Sequence, residues 1–366
     1  MRYLPGRNIR LLAAVLVCLM LVSGCSSGET NIQTGTSAQS EGTGKKIQIG
    51  ISFDSFVIER WLRDRDVFVS TAQNLGAEVN VQNANGEVSE QISQIEYLIE
   101  KKMDVIVIVA IDGTALRSVI RKAKQNGIRV IAYDRLILDS GTDLYISFDN
   151  EKVGALMGKV MVKALPEGGR IFEILGSSSD NNVTQVKSGF EDAIKGSDIQ
   201  IVYSSYCTNW LAELAFDAVN TGLDQTGGSV DGVMCGNDDL AGQAIKALTE
   251  HRLAGEVPVV AQDAELAACQ RIVEGTQTMT VYKSVEQEAE CAARFAVALA
   301  QRRDITNTDE KLYTEQTISD GSSLIPYYAL QPVAVTKDNM DEVIVDGGFH
   351  QRSDVYLNVE DGQPDT

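Results

Sequence analysis

The chain has 366 residues, 44% of them hydrophobic and 23% charged, enough to bury a sizeable core and more than one domain usually holds. That composition excludes a chain disordered throughout. A formal charge of −19 speaks against nucleic acid as a partner, because neutralising phosphates needs basic patches.

Arg2, Arg7 and Arg10 precede an uninterrupted apolar run from Leu11 to Val22, and Ser23-Gly24-Cys25 follows. A charged start, an apolar run too short to span a bilayer and a small-residue processing site read as an export signal over residues 1–24. The run Leu21-Val-Ser-Gly-Cys25 resembles the bacterial lipobox, which implies acylation of Cys25 and attachment to the membrane through that lipid. An ordinary secretory peptide with an incidental cysteine is the alternative. Losing residues 1–24 removes three arginines and no acid, so the charge moves from −19 to −22. Ser/Thr/Gly/Gln-rich sequence then makes residues 25–45 a flexible tether, and the folded part begins near Lys46.

From Lys46 strands and helices alternate without a break. Ile47 to Phe53 is a strand, Glu59 to Leu75 a helix with Trp61, Phe68, Ala72 and Leu75 at helical spacing, and Glu78 to Gln82 the next strand. Ile92, Ile95 and Ile99 mark a second helix, Val105 to Val109 is an all-apolar strand, and the helix from Ala115 to Asn126 ends at Gly127 in a capping position. Strands at Val130 to Tyr133 and Tyr145 to Phe148 lead into Asp149-Asn150, read as a hinge. The series then restarts: helices begin at Glu151, Val183, Ala212, Leu240, Leu266 and Val285, and strands at Arg170, Ile199, Gly232, Val257 and Met279 separate them. Asp320 to Pro332 reads as irregular and carries the next crossings. Apolar strands alternating with amphipathic helices mean α/β architecture: parallel sheets covered on both faces, here in two doubly wound lobes that the chain visits more than once.

The motifs of several enzyme classes are missing. There are two histidines, no G-x-S-x-G, no G-x-x-x-x-G-K-[ST], and no G-x-G-x-x-G after the first strand. Gly154 to Lys159 is one residue too short for a phosphate loop and falls inside a helix. Cys207, Cys235, Cys269 and Cys291 show no C-x-x-C spacing and no clustered histidine, so no metal site and no cofactor are expected. They read as buried free thiols, with a disulfide left open outside the cytoplasm.

What recurs is polar and aromatic residues at the carboxyl ends of strands, where open α/β sheets hold ligands. Asp54 follows the first strand, with Arg60 and Trp61 opening the next helix, and Asp134-Arg135 ends the fourth. Further on come Asp180-Asn181-Asn182, Trp210, Asn237-Asp238, Gln262-Asp263 and Lys283. Taken singly, such residues serve as turns, solvated ion pairs or, for Trp61, core. Taken together, groups that grip neighbouring hydroxyls and indoles that cover C–H faces suit a small neutral polyol or sugar.

Glu59-Arg-Trp61, Asp64-Arg-Asp66, Gln82-Asn-Ala-Asn-Gly86, Ala132-Tyr-Asp-Arg135, Tyr145 to Gly154, Asp180-Asn-Asn182, Gly275 to Lys283 and Asp346-Gly-Gly-Phe-His350 resemble the D-xylose-binding proteins of bacterial ABC importers. The resemblance runs from about Lys46 to about His350. It implies a type I periplasmic-binding-protein fold, two Rossmann-like lobes joined by three hinge strands with the sugar between them. The expected lobes are 46–149 with 283–327 and 150–282 with 328–356, and 357–366 is a tail. It also implies a pocket with Trp61 and Trp210 as stacking walls. Arg60, Arg135, Asn182, Asn237, Asp263 and Lys283 would supply hydrogen bonds, with Asp134 and Asn181 beside them. The chain departs from the family at Tyr206-Cys-Thr-Asn-Trp210 and at the Asp-Asp after Asn237. The expected partners are a monosaccharide, D-xylose first, and an ABC permease, or alternatively a membrane sensor kinase; the protein is expected to be a monomer.

Overall fold

The computed structural model describes residues 45–359. The export signal, Cys25, the tether up to Gly44 and the tail beyond Val359 lie outside the described residues.

The first half of the chain builds a seven-stranded sheet. Its strands are β1 (Ile47–Phe53), β2 (Ala77–Asn83), β3 (Val105–Ile108), β4 (Arg129–Tyr133) and β5 (Leu144–Phe148). Two late strands, β11 (Thr317–Ser319) and β12 (Leu324–Leu330), complete it in the order β11-β12-β5-β4-β3-β1-β2. Every pairing is parallel except the β11–β12 hairpin. Helices α1 (Arg60–Asn74), α2 (Val88–Glu100), α3 (Arg117–Gln125) and α9 (Val285–Ala300) cover this sheet. The strands β3, β4 and β5 are buried almost end to end, as a sheet covered on both faces requires. Ile95, Leu98 and Ile120 fill one face, and Trp61, Phe68 and Phe295 belong to the core on the other.

The second half repeats the plan with a four-stranded sheet ordered β7-β6-β8-β9, made of β6 (Gly169–Leu175), β7 (Ile199–Tyr206), β8 (Gly232–Cys235) and β9 (Val259–Val260). Its helices are α4 (Asn150–Ala164), α5 (Asn181–Ile194), α6 (Glu213–Thr226), α7 (Asp238–Glu250) and α8 (Leu266–Glu274). Strand β10 (Thr280–Tyr282) pairs antiparallel with β13 (Val333–Val335), and a bridge from Val260 to Met279 ties that pair to β9. Helices α4 and α5 pack backbone to backbone: a Cβ on Gly154 would lie 1.9 Å from the Val186 carbonyl oxygen, and one on Gly189 1.9 Å from that of Glu151. Gly154 therefore serves helix packing in the interior of α4.

The chain passes between the two sheets after Phe148, after Tyr282 and after Leu330. Strand β12 stays on the large sheet to Leu330, three residues past the sequence-expected crossing after 327. Residues 320–332, expected to be irregular, instead carry β12. Asp320 accepts the backbone N–H groups of Ser140, Gly141, Ser322 and Ser323 and so stitches the hairpin to the loop between β4 and β5, order that no hydrophobic period announces. The strand expected over Val257 to Ala261 shortens to two residues, since Pro258 has no N–H to enter a ladder.

Candidate functional site

Because all the strands of both sheets except β11 run parallel, the loops after them emerge on one side, and in both halves those loops converge on a single cavity. Arg60 and Trp61 open α1, Asp134 and Arg135 follow β4, and Lys283 follows β10. From the other half come Asn182 in the first turn of α5, Trp210 in a 3-10 turn after β7, and Asp263 after β9. Eight of the ten ligand candidates from the sequence therefore line one space. Asn181 opens α5 beside that wall. Asn237 does not line the cavity; it is the cap of α7, where its Oδ1 accepts the Leu240 N–H at 3.0 Å and its buried Nδ2 has no partner.

Four lining residues lie outside the ten ligand candidates: Ile58, Asn150, and the strand-end residues Asp180 and Gln262. Asp180 and Gln262 stand at strand ends, so the signal was present. Asn150 reads as a hinge residue, and Ile58 has no polar signature.

The cavity measures about 20 Å3, little more than one water needs. Its walls touch across the two halves. Asn182 Nδ2 donates to the Asp134 carbonyl at 2.9 Å and to Asp134 Oδ2 at 3.1 Å, and Ser179 Oγ donates to the Ile111 carbonyl at 3.0 Å. Arg135 spans the same divide. Its Nη1 donates to Asp54 Oδ2 at 2.8 Å and to the Ala110 carbonyl at 2.9 Å, while Asp180 Oδ2 lies 2.7 Å from its Nε. That last approach is a charge contact at an angle that makes no hydrogen bond, so the Nε–H keeps no acceptor. The Lys283–Asp263 pair is alike, at 2.7 Å with Asp263 Oδ1 still lacking a donor.

Trp61 is 1% exposed and packs between Phe53 and Tyr133, with the Arg60 guanidinium 4.6 Å from its ring centroid. Trp210 lies on backbone: a Cβ at Gly176 would meet its ring at 2.2 Å, and one at Gly236 at 3.2 Å. Both indole N–H groups are buried without a partner. Buried polar atoms are nearly always paired, so an unpaired group needs an explanation. Here five lining residues, Trp61, Arg135, Trp210, Gln262 and Asp263, each carry one.

The backbone is held in uncommon conformations at the same place. Asp134 (φ 60°), Asn209 (52°), Trp210 (59°), Asp263 (104°) and Ala264 (55°) lie in the left-handed region. Such residues cost on the order of 1 to 3 kcal/mol each and persist only where the surroundings over-determine them.

Burial pushes the Asp54 and Asp180 carboxyls up despite Arg135 beside both. Burial opposes the charge of Arg60, but Asp64, Asp134, Glu288 and Asp263 outweigh it and hold the guanidinium firmly protonated. Behind Asn237 and Asp263, burial raises Asp238 to about 7, and burial together with Asp238, Asp239, Asp263 and Glu59 raises Glu265 to about 10. Among the described residues no group of three or more His, Cys, Asp or Glu side chains is placed to hold a metal ion.

Two α/β halves with a polar, indole-walled cavity between the carboxyl ends of their strands define a ligand-binding scaffold. The model of the periplasmic binding protein domain family matches residues 49–304, and the chain belongs to that family. It is 43% identical over 316 residues to a D-xylose-binding periplasmic protein of Haemophilus influenzae, covering 85% of this chain and 93% of that one. A protein of the same description from Escherichia coli is 40% identical over 315 residues, with the same coverage. Among solved structures, a carbohydrate transporter solute binding protein of Chloroflexus aurantiacus in complex with D-glucose aligns with a TM-score of 0.76 at 26% identity, covering 85% of this chain and 98% of that one.

Proposed function

We propose that this chain is an extracytoplasmic sugar-binding protein, with D-xylose as its first candidate ligand, that delivers sugar to an ABC permease and is retained at the membrane by acylated Cys25. The observation that carries the reading is the set of buried, partnerless polar atoms between two indoles. Sugar hydroxyls both donate and accept, so one ring satisfies indole and guanidinium N–H groups together with amide and carboxylate oxygens. The indole faces then cover its C–H surfaces. Two relatives described as D-xylose-binding support the choice of a pentose.

A cavity of about 20 Å3 does not hold a sugar ring, so the halves part to admit it and close on it. The three crossings supply the hinge, with the halves divided near residues 149, 283 and 330. Arg60, Trp61, Asp134, Arg135 and Lys283 belong to one side and Asn182, Trp210 and Asp263 to the other, so only the closed arrangement offers the full set. That difference lets the sugar shift the equilibrium. Calorimetric titration of residues 25–366 with a panel of pentoses and hexoses tests the reading. D-xylose is expected to bind most tightly, because walls closed on a pentose oppose the extra hydroxymethyl group of a hexose. Equal or tighter binding of glucose rejects the xylose assignment, and no binding of any monosaccharide rejects the function.

A further inference from the structure

Arg60 faces more negative charge than it neutralises. Its Nε and Nη2 donate to the two oxygens of Asp64 at 3.2 and 3.3 Å, Nη2 donates also to Glu288 Oε2 at 2.6 Å, and Nη1 donates to Asp134 Oδ1 at 3.3 Å. The Asp64 and Glu288 side chains have no exposed surface, and that of Asp134 keeps 7%. One guanidinium thus meets three carboxyl groups where water scarcely reaches.

The three carboxyls are not equally served. Asp64 also accepts the Tyr133 hydroxyl, and Asp134 accepts Asn182 Nδ2. Glu288 has Arg60 alone, and its Oε1 is buried with no partner. An ionised carboxylate with a bare buried oxygen is the costliest state available, and a carboxylic acid in the same place escapes most of that cost. Glu288 does not line the cavity, whereas Arg60 does.

We propose that Glu288 is a positioning residue that fixes the Arg60 guanidinium against the ligand cavity, and that it does so as the neutral carboxylic acid. The proposal rests on the sugar-binding reading and deepens it. The carbonyl oxygen of the acid accepts from Nη2 and steers the fork, while Asp64 and Asp134 supply the charge. The groups facing Glu288 are Arg60 and Asp64 from α1, Tyr133 and Asp134 from the end of β4, Tyr327 from β12, and Cys291 on its own helix. Burial and the nearby Asp134 carboxylate favour its protonated form, and the opposing pull of Arg60 does not reverse them. Loss of the proton places a second uncompensated charge in the cluster and draws Arg60 toward α9, away from the ligand.

The experiment is titration of D-xylose into residues 25–366 across neutral and alkaline pH, with wild type, Glu288→Gln and Glu288→Ala. Glutamine keeps the neutral acceptor, so its neutral-pH affinity is expected within about threefold of wild type, without the alkaline fall expected of wild type. Alanine removes the acceptor and should weaken binding by roughly tenfold to a hundredfold. A folded alanine variant with wild-type affinity overturns the proposal, as does a glutamine variant as weak as alanine. If the alanine variant does not fold, the pH curves of wild type and glutamine decide: coincident curves overturn it. Infrared difference spectra of wild type against Glu288→Gln at neutral pH give a reading independent of sugar. A carboxylic-acid C=O band lost in the variant supports the neutral acid, and its absence overturns it even if no monosaccharide binds.

Discussion

Removing the Trp210 side chain separates ligand binding from folding better than removing Trp61. Both indoles are nearly buried, at 7% and 1% exposure, but their surroundings differ. Trp61 is wedged among Phe53, Tyr133 and the two arginines, so truncating it opens a hole in the core at a cost of about 3 to 5 kcal/mol. Trp210 rests on the backbone of Gly176 and Gly236 and lines the cavity, so its loss falls on the cavity wall. Losing one stacking wall costs roughly 1 to 3 kcal/mol by analogy with bases stacked on aromatic side chains. That corresponds to about tenfold to a hundredfold in Kd. Trp210→Ala should therefore weaken D-xylose binding by that factor in calorimetry while circular dichroism still reports a cooperative melt. A variant that melts cooperatively and binds with wild-type affinity would refute the stacking role.

Asp238 and Glu265 are raised in the folded state to about 7 and about 10, above their unfolded values, so the native state holds extra protons. Stability from these groups is complete on the acid side and lost as pH rises through those values, and Glu265→Gln should flatten the alkaline part of a melting-temperature profile; an unchanged slope rejects the assignment. Small-angle scattering should show residues 25–366 contracting on saturation with sugar, whereas an unchanged radius of gyration with binding confirmed in the same sample defeats hinge closure. Cys25→Ala should release the protein from the membrane fraction, and retention there after unchanged processing defeats the lipid anchor.

The alternation of strand and helix was legible because parallel strands buried on both faces are short apolar runs, and Val105 to Ile108 or Gly232 to Cys235 have no other reading. The late strands were hidden because β11 and β12 depend on Asp320 gathering backbone N–H groups, an interaction without a period. In the site, the carboxyl-end rule picked out polar residues after strands, and Asp134, Arg135 and Asp263 among them line the cavity. It had no access to what those residues do to one another. Glu288 is the clearest case. It sits in the first turn of α9 with Glu286 and Glu290 close by in the chain, carries no mark in the sequence, and is fully buried against an arginine 228 positions away.

The pairing of charges also bears on the class of ligand. Arg135 is spent on Asp54 and Asp180, Lys283 on Asp263, and Arg60 on Asp64, Asp134 and Glu288. Each buried cation has at least one carboxyl partner within the protein, and the cluster as a whole has acids to spare. A sugar phosphate or sugar acid would find no free positive charge and would meet repulsion, at a cost that low dielectric magnifies. What the walls leave with neither a hydrogen bond nor an ion pair is two indole N–H groups and the Gln262 amide oxygen. That remainder, holding both donors and an acceptor and flanked by indole faces, suits a ligand that is neutral, hydroxylated and flat enough to lie between two rings.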